Sequence, residues 1–153
     1  MTDFFKPLCA IQKLGEALRA THPSWKILYI QEVWQNDVWI REICHHADEG
    51  ALIYAQTRIP KKTYLAHEAI FSTLGTHSIG DHFLFQRPDV LRSPFQCTII
   101  SPENEAYADI AHHLGSEPLF YKRESLFQIG ENTLSISECF GQKALKALGI
   151  KPT

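Results

Sequence analysis

Arg41, Arg58 and Glu138 are charges that fall where strand alternation would bury them. In "DVWIREICHH", residues 37–46, Trp39, Arg41, Ile43 and His45 alternate with Val38, Ile40, Glu42, Cys44 and His46, so a charge sits in each apolar row. Arg58 shares the row of Leu52, Tyr54 and Gln56, Glu138 shares that of Leu134, Ile136 and Phe140, and Arg123 is a weaker fourth case beside Tyr121 and Ser125. A desolvated charge is costly unless something pairs with it. A guanidinium on a rigid strand offers a planar fork matched to a carboxylate, so inward arginines suit an anionic organic ligand. An inward glutamate can accept a hydrogen bond from a ligand hydroxyl, or act as acid or base if burial raises its pKa. A second reading stands beside this one: Arg41 and Glu138 pair with each other across the sheet as a structural salt bridge.

Other constellations carry less chemistry. His45–His46 and His112–His113 are adjacent pairs, and neighbours on a strand face opposite ways while those on a helix diverge by about 100°, so no metal site is expected. Cys9, Cys44, Cys97 and Cys139 are scattered with no C-x-x-C pair, which suits reduced, buried thiols. No Gly-x-Ser-x-Gly and no Gly-rich phosphate loop occurs, and Lys61 and Lys62 read as a solvated turn.

The elements that must position these residues are largely strands. Leu8, Ile11, Leu14 and Leu18 predict a helix over roughly 8–20, ended by "THP". "SWKILYIQEVW", "VWIREICHH" and "ALIYAQTRI" then form an antiparallel meander joined by "QND" and "ADEG". "TYLAHEAIFSTL" predicts a helix closed by Gly75, and 75–94 a loop with one helical turn. "FQCTII" reads as a strand, "SPENEAYADIAHHL" as a helix with Ser101 as N-cap, and "LFYKRESLFQI" with "TLSISECF" as a hairpin turning at "GEN". Strands first and last with helices between predict an α+β domain on a single antiparallel sheet of about six strands.

At 153 residues the chain is the size of one domain, 1–153. With 44% hydrophobic residues, 21% charged and a formal net charge of −2, it lacks the basic excess that attracts nucleic acid or anionic membrane. No apolar run reaches a membrane span and the start has no signal-peptide layout, so a cytoplasmic protein, expected as a monomer, is the reading.

Taken in order, "VWIREI", "QTRIP", "LGTHSIGDHFLF", "YKRESLF" and "LSISECF" resemble the chorismate pyruvate-lyase family, whose members carry W-L-R-E, a G-R-T-x-x-P-like step, L-G-x-x-P-L-G-x-x-L-F, an R-R-S strand and a closing T-E-L-F strand. The resemblance runs from residue 38 to 140 and rests on the order of the pieces rather than on any single one. It implies an enzyme that cleaves chorismate to 4-hydroxybenzoate and pyruvate, the entry to ubiquinone in many bacteria, without metal or cofactor. It also implies helical flaps over a buried pocket. Residue by residue, it implies that Arg41 binds the ring carboxylate and Glu138 contacts the opposite end of the ring, both as catalytic residues. Ile79 would contribute a backbone N–H, Arg58 would hold the enolpyruvyl carboxylate, and Ala10 would mark an N-terminal backbone contact. The chain departs from the family pattern where Glu124 follows Arg123, where "SIG" replaces "PLG", and where a helix is inserted around 101–114.

Chorismate becomes aromatic when its ring loses a proton and the enolpyruvyl ether breaks, so such a site has mainly to orient a dianion and exclude water. The alternatives are a non-catalytic module for a small aromatic carboxylate and an interaction domain in which Arg and Glu merely pair. A chain of this length leaves no room for a DNA-binding domain ahead of the sheet, which weighs against a transcription regulator.

Overall fold

The computed structural model describes residues 5–151. Seven strands form one antiparallel sheet: β1 (Lys26–Gln35), β2 (Val38–Ala47), β3 (Gly50–Pro60), β4 (Val90–Arg92), β5 (Gln96–Ile100), β6 (Phe120–Ile129) and β7 (Asn132–Phe140). Their order is β1-β2-β3-β7-β6-β4, with β5 also pairing β6. The meander is set by its turns. Asn36 and Asp37 take φ of 50° and 62°, the paired left-handed conformation whose twist matches that of the flanking strands. Gly50 and Gly130 supply the positive φ at the other two hairpins.

Among the described residues seven helices pack on the sheet: α1 (Lys6–Ala10), α2 (Leu14–Thr21), α3 (Lys61–Ala66), α4 (Glu68–Phe71), α5 (Ile79–His82), α6 (Tyr107–Leu114) and α7 (Gln142–Ala147). The helix expected over 8–20 is broken at Ile11–Lys13, where the carbonyls of Leu8, Ile11 and Gln12 accept from arginine side chains instead of from a further turn. The helix expected over 63–74 begins at Lys61 and breaks at His67, whose φ of −132° is not helical. The stretch 75–94 holds α5, a 3₁₀ turn at Leu84–Gln86 and the short strand β4. Ser101 caps no helix: Asn104 and Tyr107 close turns and α6 starts six residues later, at Tyr107. The α+β class and the single antiparallel sheet are as the pattern predicts, with seven strands instead of about six.

The register sorts side chains into two faces. One carries Trp39, Arg41, Ile43 and His45 of β2, Ala55 and Thr57 of β3, Ile136 and Glu138 of β7, and Arg123 and Ser125 of β6. Two apolar cores cover its ends: Leu8, Leu14, Leu18 and Leu145 on Ile53 and Phe140, and Phe71, Leu74, Phe83 and Leu84 on Trp39, Ile59 and Phe127. The polar residues lie between these cores, where neither helix group fills the space. On the other face α6 lays Ile110 and Leu114 over Cys44, Tyr54, Phe120 and Cys139. Glu42 belongs to that second face and accepts hydrogen bonds from Tyr54 and Gln31, so the adjacent charges of β2 serve opposite sides of the sheet.

Candidate active site

Two cross-strand rows form the floor of a cavity between the two cores. Arg41, Thr57, Ile136 and Ser125 make one row, and Ile43, Ala55, Glu138 and Arg123 the next. Gln12, Leu14 and Gly15 close it from the α1–α2 segment, and Ser78, Ile79, Gly80 and Phe85 from the α5 segment. Its enclosed volume is about 50 Å³, and about 520 Å³ is unfilled by atoms when the open solvent at its mouth is included. Gly80 permits this roof: a Cβ there would lie 2.5 Å from the Phe85 ring. Outside the cavity Arg19 on α2 meets Asp81 on α5 at 2.9 Å, joining the two sides of the roof by an exposed ion pair.

Arg41 is 1% exposed. Its Nη2 donates to the carbonyls of Gly75 and His77 at 2.9 and 2.8 Å, and the positive φ of Gly75 (55°) makes the turn that presents them. Its Nε is buried without a partner, and burial lowers the guanidinium pKa against the opposing pull of Glu32. An orphaned buried donor costs about 1–3 kcal/mol. A ligand carboxylate would remove that cost.

Glu138 does not pair with Arg41. The two lie two strands apart and one row displaced, roughly 10–12 Å between Cα atoms by strand geometry. Directly opposite Glu138 is Arg123, whose Nε meets Glu138 Oε1 at 2.8 Å. Arg123 Nη1 donates to the carbonyls of Leu8 and Ile11, both at 2.7 Å, while its Nη2 is buried and unpartnered. The weak fourth charge of the sequence is thus the fully buried hinge between the sheet and α1. Glu138 lines the cavity with one oxygen engaged by Arg123, which leaves the other to accept a hydrogen from a ligand.

The structure brings Arg41, Glu138 and Ile79 together, Ile79 as the first residue of α5, but not Arg58. Arg58 is one residue out of phase with the cavity row: it faces the opposite side beside Ile40 and Ser135, exposed, while Thr57 points inward. Ala10 is likewise exposed at the end of α1, and Gln12, Leu14 and Gly15 are what the N-terminal segment offers the cavity.

Two residues of the cavity have no counterpart among the sequence-based expectations for the site. Arg92, half-buried on β4, donates from Nε to Ser125 Oγ at 3.1 Å and from Nη1 to the Gln12 carbonyl at 2.6 Å. Burial pulls its pKa down to about 10, so it stays charged at neutral pH. A three-residue strand between Pro88 and Pro94 shows no periodicity, and nothing in the sequence marks Arg92. His45 sits on the Arg41 row and accepts from the Trp25 indole N–H at 3.1 Å through Nδ1. Its proton is therefore on Nε2. Burial pushes its pKa down to about 4, which keeps the ring neutral.

Among the described residues, no three His, Cys, Asp or Glu side chains converge as metal ligands, and no helix is long and apolar enough to cross a membrane. Cys9 and Cys97, far apart in sequence, bring their Sγ atoms to 3.2 Å.

Comparison with known proteins agrees with this architecture. A family model described as chorismate lyase matches residues 20–145. A probable chorismate pyruvate-lyase of Psychromonas ingrahamii is 33% identical over 118 residues, covering 76% of this chain and 60% of that protein. Another from Methylobacillus flagellatus is 28% identical, covering 79% and 65%, and one from Aromatoleum aromaticum is 30% identical over 136 residues, covering 87% and 72%. The chain therefore spans about 60% of the length of the first of these relatives. Among solved structures, the PhnF C-terminal domain aligns with a TM-score of 0.58 at 12% identity over 85% of this chain and 87% of that one. PhnF from Mycobacterium smegmatis aligns with a TM-score of 0.59 at 13% identity over 87% and 65%. At such identities the likeness is one of fold.

Proposed function

The chain belongs to the chorismate lyase family, and from that premise we propose that it converts chorismate to 4-hydroxybenzoate and pyruvate, the reaction that opens ubiquinone synthesis, in the cytoplasm and without a cofactor. The observation that carries this reading is the charge balance of the cavity. Arg123 and Glu138 cancel, while Arg41 and Arg92 have no carboxylate within ion-pair distance among the described residues. Two guanidinium groups without a contact ion pair, Arg41 feeling only the more distant carboxylate of Glu32 and Arg92 only that of Glu138, in a half-enclosed space suit a small dianion.

The chemistry fits a sparse site. The ring carbon bearing the hydroxyl loses its proton, the electron pair of that bond completes the aromatic ring, and the neighbouring ether bond breaks with its electrons on oxygen. The enolpyruvate released takes up a proton and becomes pyruvate. Arg41, with its free Nε, is the group to hold the ring carboxylate, and Glu138 lies toward the other end of the floor, where its unengaged oxygen can receive or orient a hydrogen. Orientation and exclusion of water supply much of the rate in such an elimination.

The test is incubation of the purified protein with chorismate, following 4-hydroxybenzoate by chromatography and pyruvate by a coupled reaction. Equal amounts of both are expected. Arg41→Ala should lower kcat/KM by about 100-fold or more, the scale of a lost buried charge contact, and Glu138→Gln should lower kcat while Arg123 keeps a hydrogen-bond partner. A near-normal rate in Arg41→Ala would sink the assignment. Thermal stabilisation by 4-hydroxybenzoate without any turnover would leave a binding domain for aromatic carboxylates in its place.

A further inference from the structure

Chorismate carries two carboxylates, and Arg41 accounts for the one on the ring. We infer that Arg92, on the far side of the same cavity, is a second anion subsite that takes the ether-linked carboxylate and makes the site selective for dianions; the inference rests on the chorismate reading above.

The row Arg41, Thr57, Ile136, Ser125 crosses four strands, and Arg92 is hydrogen-bonded to its last member. Arg92 itself is in register with Phe127, so the two guanidinium groups stand toward opposite ends of this row, with Thr57, Ile136 and Ser125 between them as floor. Arg92 is rigidly held. Its Nε and Nη1 are fixed by Ser125 and the Gln12 carbonyl, and its guanidinium carbon lies over the rings of Phe95 and Phe127, 4.3 and 4.8 Å from their centroids. Its Nη2 has no hydrogen-bond partner among the described residues. Glu138, the carboxylate that could neutralise Arg92, is held by Arg123. A fixed, charged donor lining a cavity beside a carboxylate already held in an ion pair is poised for a ligand anion. Arg58 cannot fill this role from the other face.

The experiment measures binding of 3-(carboxymethoxy)benzoate and 3-methoxybenzoate by calorimetry, with chorismate turnover beside it, for the unmodified protein, Arg92→Gln and Arg92→Lys. The probes share ring, ring carboxylate and ether oxygen and differ in the second carboxylate. The dicarboxylate should bind more tightly to the unmodified protein. Arg92→Gln should weaken it by about tenfold or more, the scale of one charge-assisted contact, while changing the methoxy compound less than about threefold. Arg92→Lys should recover part of the preference. Equal weakening of both probes in both variants would mean that Arg92 only seats the α1–α2 segment and would overturn the inference, as would no change in either. Dicarboxylate preference lost on Arg92→Gln, in a protein that releases no pyruvate, would uphold the subsite and reject the lyase. Turnover with an unaltered preference in Arg92→Gln would do the reverse. Failure of the unmodified protein both to bind either probe and to turn over chorismate would overturn both.

Discussion

A single step along a strand decides whether an arginine can act. Arg58 and Thr57 are neighbours on β3, yet Thr57 is buried under the cavity and Arg58 is exposed on the opposite face, bonded to Gln56 at 3.3 Å. Arg58→Ala is therefore expected to keep kcat/KM within about twofold of the unmodified protein and to leave its stability within about 0.5 kcal/mol, as for an exposed side chain with one weak contact. Steady-state kinetics and a melting curve check this, and a tenfold loss of activity would place β3 in the wrong phase. The sequence was legible for Arg41 and Glu138 because each is a charge set in an otherwise apolar row. It was not for β3, which is buried on both faces over Leu52–Ala55, so both of its rows are apolar and alternation does not mark the side with the site. A pairing of Glu138 with Arg41, one of the two readings open from the sequence, fails for a related reason. Pairing across a sheet follows register, and the cross-strand neighbour of Glu138 is Arg123 on the hairpin partner, not an arginine two strands away.

At the scale of elements, the site depends on helices that stop short. A continuous helix over 8–20 would bond its own carbonyls and leave Arg123 and Arg92 without the acceptors at Leu8, Ile11 and Gln12. Periodicity sees the apolar stripe Leu8, Leu14, Leu18 on both sides of the break but not the break itself, since the guanidinium groups that compensate it lie some 80 to 115 residues away in sequence. The same limit hid β4, whose pairing to β6 is entirely tertiary. The seat of α1 on β5 gives a direct test. Cys9 and Cys97 are in contact, whereas Cys44 and Cys139 are on strands separated by β3, about 9–10 Å apart and beyond disulfide reach. The diazene oxidant diamide should therefore convert Cys9 and Cys97 to an intramolecular disulfide with loss of two hydrogens. The step should be faster at alkaline pH because burial holds the Cys97 thiol up at about 12. Non-reducing peptide mapping should join the Cys9 and Cys97 peptides, and Cys9→Ser should abolish the product; a Cys44–Cys139 bridge, or none, would contradict the packing of α1.

The molecule as a whole records the cost of this polar floor in its acid stability. His45 titrates at about 4 in the fold, below the ordinary value of 6.5, with burial the main cause and Glu138 and Arg123 opposing each other. Between those two pH values the unfolded chain binds a proton that the folded protein does not. Stability therefore rises with pH through this window, is complete above about 6.5, and is lost as pH falls toward 4, by about 1.4 kcal/mol per pH unit and roughly 3 kcal/mol in all. Removing the imidazole removes the linkage. His45→Leu leaves the Trp25 indole N–H without its acceptor, which lowers the melting temperature by a similar amount at every pH, so the slope is the diagnostic and not the level. Between pH 7 and 4.5 the unmodified protein should lose about 5–10 °C more than His45→Leu, taking about 2–4 °C per kcal/mol for a chain of this size. Carboxylates shared by both proteins contribute equally and cancel in the difference. Parallel melting curves across this range would mean that the imbalance lies elsewhere and that His45 takes up a proton inside the fold, which would add a third positive charge to a cavity whose dianion selectivity is argued from two.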